Sequence, residues 1–170
     1  GWGGLGQALT ATVLRETPEE LVISELAHLA QASAELPILA QKLGFSSTKA
    51  PKVVSAEDPL LLDHLRQADV IVNASGVGMA GDRSPVSDPS VFQRPPGKRL
   101  IVIESIYRAP DGTPLPVSPF LRQAWSQGVR EVHNGWNLYV SDFVGEAVWF
   151  LEGWTGQKLE EQQKNGIFQR

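Results

Sequence analysis

The sequence predicts an α/β fold with a mainly parallel β-sheet, and three observations carry that prediction. Short apolar runs, rich in β-branched residues, recur at Val53-Val54, Val70–Val72 and Leu100–Ile103, and Arg130–His133 is a short fourth candidate strand. Continuous apolar runs, rather than alternating ones, are typical of strands that are buried on both faces. Stretches of helical composition separate these runs, and a glycine-rich string opens the chain. Alternating strands and helices indicate a parallel sheet with helices packed on it.

The composition is that of one ordinary globular domain. The chain has 170 residues, which is about the length of one domain, and it is 42% hydrophobic and 20% charged. These values argue against a disordered or coiled-coil protein. A net charge of -4 without a basic block argues against a nucleic-acid partner, and no apolar run is long enough to cross a membrane. We expect neither nucleic acid nor membrane as a partner, and the sequence leaves the oligomeric state open.

Cysteine and histidine usage bears on metal and redox chemistry. The sequence contains no cysteine, which removes disulfides, thiolate metal ligands and a cysteine nucleophile. This absence is typical of a cytoplasmic protein. The three histidines, His28, His64 and His133, show no metal-ligand spacing. We therefore expect no metal site and a cytoplasmic location.

Five stretches have helical composition. The first, rich in alanine and leucine, follows the opening glycines, and the fourth begins at an N-cap serine with proline behind it, Ser118-Pro119. The predicted helices cover Gln7–Glu16, Ala27–Gly44, Pro59–Gln67, Ser118–Gly128 and Leu138–Trp154. Pro37 interrupts the second of them.

One region admits two interpretations. Thr17–Glu20 has the composition of a helix start with a capping box. Leu21–Ile23 has the composition of a strand, with Ser24 and Glu25 at its end. We favour the strand, because a βαβ unit that binds a dinucleotide needs its second strand here.

The opening string has the spacing of a dinucleotide-binding loop. Gly1, Gly3 and Gly6 fit the pattern G-x-G-x-x-G. Such a loop turns tightly after a strand and presents backbone N–H groups and a helix N-terminus to a pyrophosphate. The strand that should precede the loop is missing from the sequence. We therefore expect a Rossmann-like, three-layer αβα arrangement that lacks its first strand and is a fragment.

Four strings along nearly the whole chain match one enzyme family together, in order and at the right spacing. They are Gly1, Gly3 and Gly4; Asn73–Met79; Glu104–Tyr107 with Thr113-Pro114 and Leu121–Ala124 behind it; and Asn134-Gly135 followed by Leu138, Phe150, Trp154, Thr155 and Gly156. The chain resembles the C-terminal, cofactor-binding half of the shikimate dehydrogenases. Gly76 stands where that family has proline, and Glu104 stands where it has aspartate.

The resemblance implies an oxidoreductase with separate domains for the cofactor and the substrate. Residues 1–170 would form the NAD(P)-binding domain, and an N-terminal domain outside this chain would bind the substrate. Hydride would pass between a nicotinamide and 3-dehydroshikimate or shikimate, or a related polyol acid such as quinate. The family's catalytic lysine and aspartate match no position here, so we expect no catalytic residue in the chain and no activity from it alone.

The resemblance also implies a set of binding residues. The expected cofactor-binding residues are Gly1, Gly3, Gly4, Gly6, Ser24, Glu25, Asn73, Ala74, Ser75, Met79, Ile106 and Gly135. Tyr107 and Asp142 are the expected substrate-binding residues, although Tyr107 also fits a half-buried aromatic and Asp142 stands where the family has glutamine. Glu104 fits a carboxylate that orients its loop.

The choice between NAD and NADP depends on the end of the second strand. Glu25 lies 19 residues after Gly6, close to the spacing of about 20 for a carboxylate that binds the ribose hydroxyls. Such a carboxylate repels a 2′-phosphate, so the sequence favours NAD over NADP. Two alternatives stay open: Glu25 as a solvated helix charge, and a cation such as Arg15 at the ribose.

Two other functions are compatible with the sequence. The departures at Glu25, Gly76 and Asp142 would also suit a non-catalytic nucleotide-binding or sensory module that has kept the fold. A dehydrogenase for methylene-tetrahydrofolate with the same two-domain plan is a third interpretation, against which the string Trp154–Gly156 argues.

Overall fold

The computed structural model describes residues 1–47, 49–108, 111–112 and 117–135. Helices and strands alternate in this part of the chain. In order they are α1 (Gly4–Arg15), β1 (Val22–Glu25), α2 (Leu29–Lys42), β2 (Lys52–Ser55), α3 (Leu61–Gln67), β3 (Val70–Asn73), a 3₁₀ helix (Pro89–Phe92), β4 (Ile101–Glu104), α4 (Pro119–Ser126) and β5 (Glu131–His133). No helix in the described ranges is both long and apolar enough to cross a membrane.

The strands form parallel pairs, as the sequence predicts. β1 pairs with β2, and β3, β4 and β5 form a second sheet in that order. The expected single sheet is therefore divided in two among the described residues. A dinucleotide fold orders its strands 3-2-1-4-5-6, so its first strand lies between the second and the fourth. In this order, β1 fits the second strand and β2 the third, while β3, β4 and β5 fit the fourth to sixth strands. No strand among the described residues fills the position of the first strand, between β1 and β3.

The ambiguous region after α1 is a turn followed by a strand. The backbone N–H groups of Glu16 and Thr17 bond back to Val13 and Leu14, at 3.1 and 3.2 Å, and end α1 there. Thr17 has a φ of 48°, in the left-handed region that helices avoid. The alternative of a helix starting at Thr17 is therefore wrong, and the strand prediction is confirmed over Val22–Glu25.

Most predicted helices are confirmed with shifted ends. α1 begins at Gly4, three residues earlier than expected, and α2 runs through Pro37. Ser118 caps α4, because its hydroxyl accepts the Leu121 N–H at 3.2 Å. The 3₁₀ helix was not predicted from the sequence; Asp88 caps it by accepting the Ser90 N–H. The predicted helix over Leu138–Trp154 lies outside the described residues.

Each sheet has its own hydrophobic core. The core of the first sheet joins it to α1 and α2 and contains Trp2, Leu14, Ile23, Ala32, Leu36 and Ala40. The core of the second joins it to α3, the 3₁₀ helix and α4 and contains Ile71, Val86, Val91, Phe92, Leu100, Val102, Phe120, Leu121, Ala124 and Val129. Phe92 and Phe120 meet edge to face there, with ring centroids 5.6 Å apart.

Candidate functional site

The glycine loop passes directly into α1. Gly3 is the N-cap of α1 with extended backbone, and a Cβ added at Gly3 or Gly4 would meet nothing within 4 Å. A Cβ at Gly6 would instead overlap the Gly1 carbonyl oxygen. Gly6 thus permits the close approach of the helix to the loop, while Gly3 and Gly4 present open backbone at a helix N-terminus. Both features are those of a pyrophosphate-binding loop.

The start of the loop lies between the carboxyl ends of β1 and β3. A Cβ at Gly1 would lie 3.4 Å from the Ala74 carbonyl oxygen, 3.7 Å from Glu25 Oε2 and 3.7 Å from Ser75 Cβ. The structure therefore brings together four of the predicted cofactor-binding residues. Ligands of open α/β sheets bind outside the carboxyl ends of strands, where the strand order reverses. The four residues lie at that kind of position.

Glu25 holds the glycine loop against the end of β1. Its Oε1 accepts the backbone N–H groups of Leu26, Ala27 and His28 at 2.9, 2.8 and 3.1 Å, and its Oε2 accepts the N–H of Trp2. Burial acts to raise the pKa of Glu25, but these four backbone donors outweigh it and hold the pKa below the ordinary value. The alternative of Glu25 as a solvated helix charge is wrong, because the side chain is buried at a strand end.

Trp2 fastens the same loop to the first core. Its side chain is 3% exposed, and its indole Nε1 donates to Glu35 Oε2 of α2 at 2.8 Å. Gln7 Nε2 donates to the Trp2 carbonyl oxygen at 3.2 Å. The bulky residue inside the glycine motif therefore points away from the open backbone of Gly3.

A second carboxylate, Glu104, lies at the end of β4. The parallel register places Asn73 of β3 beside it, and Asn73 Nδ2 donates to Oε1 and Oε2 at 3.0 and 3.2 Å. The Ile106 N–H donates to Oε1 at 3.0 Å, and Ser118 Oγ donates to Oε2 at 2.6 Å. Glu104 is fully buried, and this burial raises its pKa even though every one of these partners favours the ionised form.

Asn73 also forms hydrogen bonds with the loop after β3. Its Oδ1 accepts the Ser75 N–H at 3.1 Å and the Ser75 hydroxyl at 2.7 Å, and its Nδ2 also donates to the Val77 carbonyl oxygen at 3.2 Å. The Val77 N–H donates to Ser75 Oγ at 3.3 Å. The buried Asn73 side chain thus shapes the loop over residues 74–79 from below.

The same end of the second sheet contains two further close approaches. A Cβ at Gly78, whose φ is 101°, would lie 3.6 Å from Pro119 Cδ and 3.8 Å from Ile106 Cδ1. A Cβ at Gly135 would overlap the Ser105 carbonyl oxygen, so only glycine fits there. The loop over residues 74–79, the segment after β4 and Gly135, two residues beyond β5, therefore lie close together. Met79 is 40% exposed at this edge.

Comparisons of the sequence with curated proteins find one kind of enzyme. No family model matches the chain. It is 30% identical over 161 residues to a shikimate dehydrogenase (NADP(+)) of Streptococcus suis, covering 94% of this chain and 49% of that protein. It is 28% identical over 166 residues to a shikimate dehydrogenase (NADP(+)) of Streptococcus gordonii, covering 96% and 51%. Over nearly its whole length, the chain is similar to the shikimate dehydrogenase family.

The chain spans about half the length of these two proteins. A shikimate dehydrogenase (NADP(+)) of Lactococcus lactis is 32% identical over 104 residues, covering 61% of this chain and 31% of that protein. Among solved structures, the crystal structure of shikimate dehydrogenase from Thermotoga maritima matches with a TM-score of 0.49 and 16% identity, over 94% of this chain and 61% of that one.

The predicted site residues fall into two groups. Gly1, Glu25, Ala74 and Ser75 meet at the glycine loop, with Gly3, Gly4 and Gly6 in the loop itself and the half-buried Ser24 one residue before Glu25. Asn73, Met79, Ile106 and Gly135 surround the Glu104 carboxylate and the loop beside it. Tyr107 is half-buried, and the Arg108 guanidinium lies 5.5 Å from its ring centroid. Asp142 lies outside the described residues.

Two residues of the site were not predicted as such. The burial of Trp2 was not predicted, because a residue within a glycine-rich string is expected to be exposed. Ser118 was recognised as a helix cap, but its second partner, Glu104, is 14 residues away in the sequence. Among residues 1–47, 49–108, 111–112 and 117–135, no group of three or more His, Asp or Glu side chains is arranged to hold a metal ion.

Proposed function

We propose that this chain is the dinucleotide-binding half of a shikimate dehydrogenase-like oxidoreductase. The observation that carries the proposal is the position of the glycine loop, where a Cβ added at Gly1 would lie 3.4 to 3.7 Å from groups at the carboxyl ends of β1 and β3. The exposed backbone of Gly3 and Gly4 and the N-terminus of α1 would hold the pyrophosphate. The bound nicotinamide would supply or accept the hydride.

The substrate belongs to the same proposal. The relatives are named shikimate dehydrogenases and are about twice as long as this chain. We therefore propose that residues 1–170 form one dinucleotide-binding domain, and that shikimate, 3-dehydroshikimate or a related polyol acid binds with a further domain. Tyr107 and Asp142 are proposed to contact that substrate. Since no position of the chain matches the family's catalytic lysine and aspartate, we expect the 170 residues alone to be inactive.

Glu25 supports NAD as the cofactor, whereas the names of the relatives support NADP. Within the described part of the chain, the Oε2 oxygen of Glu25 accepts one hydrogen bond, from the Trp2 N–H, so it has a lone pair for a ribose hydroxyl. Its negative charge would oppose a 2′-phosphate at the same place. The relatives, however, carry NADP(+) in their names. Our proposal is a nicotinamide dinucleotide as the cofactor class, with the preference for NAD resting on Glu25 alone.

Calorimetric titration of the natural polypeptide that carries this chain with NAD⁺ and with NADP⁺ tests the proposal. The informative variant is Gly3→Ala, because its Cβ would enter open space and its φ of −70° suits alanine. We expect the added methyl group to hinder the pyrophosphate and to weaken binding about tenfold, which is ~1.4 kcal/mol. The matched control is Thr12→Ala, an exposed position on the same helix.

Each outcome of the titration has a distinct meaning. Failure of both dinucleotides to bind would overturn the proposed function. Tighter binding of NADP⁺ would leave the dinucleotide proposal standing and refute the preference for NAD. Binding without any turnover of shikimate or quinate would favour the non-catalytic nucleotide-binding module instead. The cytoplasmic location expected from the absence of cysteine stays a prediction.

A further inference from the structure

One buried carboxylate, Glu104, joins three segments near the carboxyl end of the second sheet. It accepts hydrogen bonds from Asn73 at the end of β3, from Ile106 beyond β4 and from Ser118 at the start of α4. All of these groups are donors, and an ionised carboxylate can only accept. The negative charge therefore determines which way each partner must point. None of these three partners is itself charged.

The orientation of the Asn73 amide follows from this rule. Its NH₂ group must face Glu104, so its oxygen faces the other way and accepts the N–H and hydroxyl of Ser75. The Ser75 hydroxyl hydrogen is then used, and its oxygen is left to accept the Val77 N–H. A reversed amide would place its oxygen against the carboxylate and its NH₂ against the Ser75 N–H. The fold of the loop over residues 74–79 thus depends on the charge of Glu104.

The start of α4 follows from the same rule. Ser118 gives its hydroxyl hydrogen to Glu104 at 2.6 Å, which leaves the oxygen free to accept the Leu121 N–H and cap the helix. Without an acceptor at Glu104, the hydroxyl hydrogen would be buried and unpaired, since Ser118 is 1% exposed. The carboxylate therefore sets the cap on one side and the loop on the other.

We propose that Glu104 is a positioning residue, whose negative charge fixes the Asn73 amide and the Ser118 hydroxyl and so shapes the dinucleotide cleft. The proposal rests on the proposed function in that the loop over residues 74–79 is taken to line that cleft. Two variants separate charge from size. Glu104→Gln keeps the size and loses the charge, whereas Glu104→Asp keeps the charge and loses one methylene. A positioning role through charge predicts that aspartate is closer to the wild type than glutamine.

Site-resolved amide hydrogen exchange in the natural polypeptide measures the positioning directly. The reporters are the N–H groups of Ser75, Val77, Ile106 and Leu121, each of which donates within this network. In Glu104→Gln we expect about tenfold faster exchange at Leu121 or at Ser75 and Val77, because one buried partner loses its acceptor whichever way the new amide points. In Glu104→Asp we expect a smaller change at the same groups.

Controls in the rest of the fold distinguish positioning from general destabilisation. The strand amides of Ile23 and Val53 in the first sheet should exchange as in the wild type in both variants. A matched surface control is Glu131→Gln, which breaks an ion pair with the exposed Arg99 and should leave all reporters unchanged. Uniformly faster exchange in both sheets, equal effects of glutamine and aspartate, or no change at the reporters would each overturn the proposal.

Titration of the same variants with the dinucleotide that the wild type binds gives the second readout. We expect Glu104→Gln to bind about tenfold more weakly and Glu104→Asp to recover most of that loss, while Glu131→Gln binds normally. Unchanged affinity in Glu104→Gln would overturn the role in the cleft. If the wild type binds neither NAD⁺ nor NADP⁺, the proposed function fails, and the exchange data still decide whether Glu104 sets the geometry of the loop and helix.

Discussion

Glu25 and Glu104 occupy the same position in their two strands but are held in opposite ways. Each is the last residue of a four-residue strand that buries its second and fourth side chains. Burial acts to raise the pKa of both carboxyls. At Glu25 four backbone N–H groups outweigh it and the pKa falls below the ordinary 4.5. At Glu104, which is more deeply buried, the pKa rises above 4.5.

The path of the chain after each strand explains the difference. After β1 the chain turns at once towards α2, so the N–H groups of Leu26, Ala27 and His28 converge on one carboxylate oxygen. After β4 the chain leads into the segment of Tyr107, and much of the hydrogen bonding to Glu104 comes from side chains of other elements. The first carboxylate therefore holds its own strand end and the glycine loop, and the second joins separate elements.

Removal of the Glu25 side chain should have the largest effect on stability. Glu25→Ala leaves four N–H groups without their acceptor and releases the glycine loop. We expect the free energy of unfolding to fall by about 3 kcal/mol, since each lost partner of a charged acceptor is costly. Chemical denaturation of the natural polypeptide measures the loss.

The exposed Glu57 supplies the matched control for that experiment. Glu57→Ala removes the same atoms from the surface and should change stability by no more than about 0.5 kcal/mol. A loss in Glu25→Ala as small as that of the control would show that the four N–H groups find water instead, and that Glu25 does not hold the loop.

Substitution of two glycines at close backbone contacts, one in the glycine loop and one beyond β5, should have the next largest effect on stability. A Cβ at Gly6 overlaps the Gly1 carbonyl, and a Cβ at Gly135 overlaps the Ser105 carbonyl. We expect Gly6→Ala and Gly135→Ala each to cost about 2 kcal/mol in thermal or chemical unfolding, because backbone must shift to admit the methyl group. Gly76→Ala is the control, since its Cβ has nothing within 4 Å. Equal stability of all three variants would contradict the close contacts.

The strands were predictable from the sequence because each is a local pattern. The runs at Val70–Val72 and Leu100–Ile103 became strands with ends shifted by one residue, and Ser118 became the predicted cap. The pairing of Asn73 with Glu104 was not predictable, because it depends on the register between strands that lie about 30 residues apart in the chain. Periodicity shows that a strand is buried, but not which side chains meet across it.

Loss of the Ser118 hydroxyl should have a smaller effect on stability, confined to the surroundings of Glu104 and α4. Ser118→Ala removes the N-cap of α4 and one donor to Glu104. We expect a loss of about 1 kcal/mol in unfolding free energy, the usual cost of a missing cap. Ser126→Ala, at the exposed end of the same helix, should cost less. If the two serine variants lose the same stability, Ser118 does not link α4 to Glu104.

The two carboxylates should also give pH dependences of opposite sign, which is the smallest effect at neutral pH and the sharpest test of their difference. Glu25 has a lowered folded pKa, so the unfolded chain binds its proton more tightly. Its contribution to stability is complete above 4.5 and is lost as the pH falls through the lowered pKa. Glu104 has a raised folded pKa, so its contribution is present below 4.5 and is lost as the pH rises towards that pKa.

Glutamine variants separate these two contributions. Comparing unfolding free energies across a pH series, we expect Glu25→Gln to flatten the acid side of the stability curve, below pH 4.5, and to leave the other side as it was. We expect Glu104→Gln to flatten the decline above pH 4.5 and to leave the acid side unchanged. If both variants alter the same side of the curve, the pKa values of Glu25 and Glu104 are not shifted in opposite directions. The Glu104 carboxyl that bonds to Asn73 would then ionise over a different pH range from the one expected here.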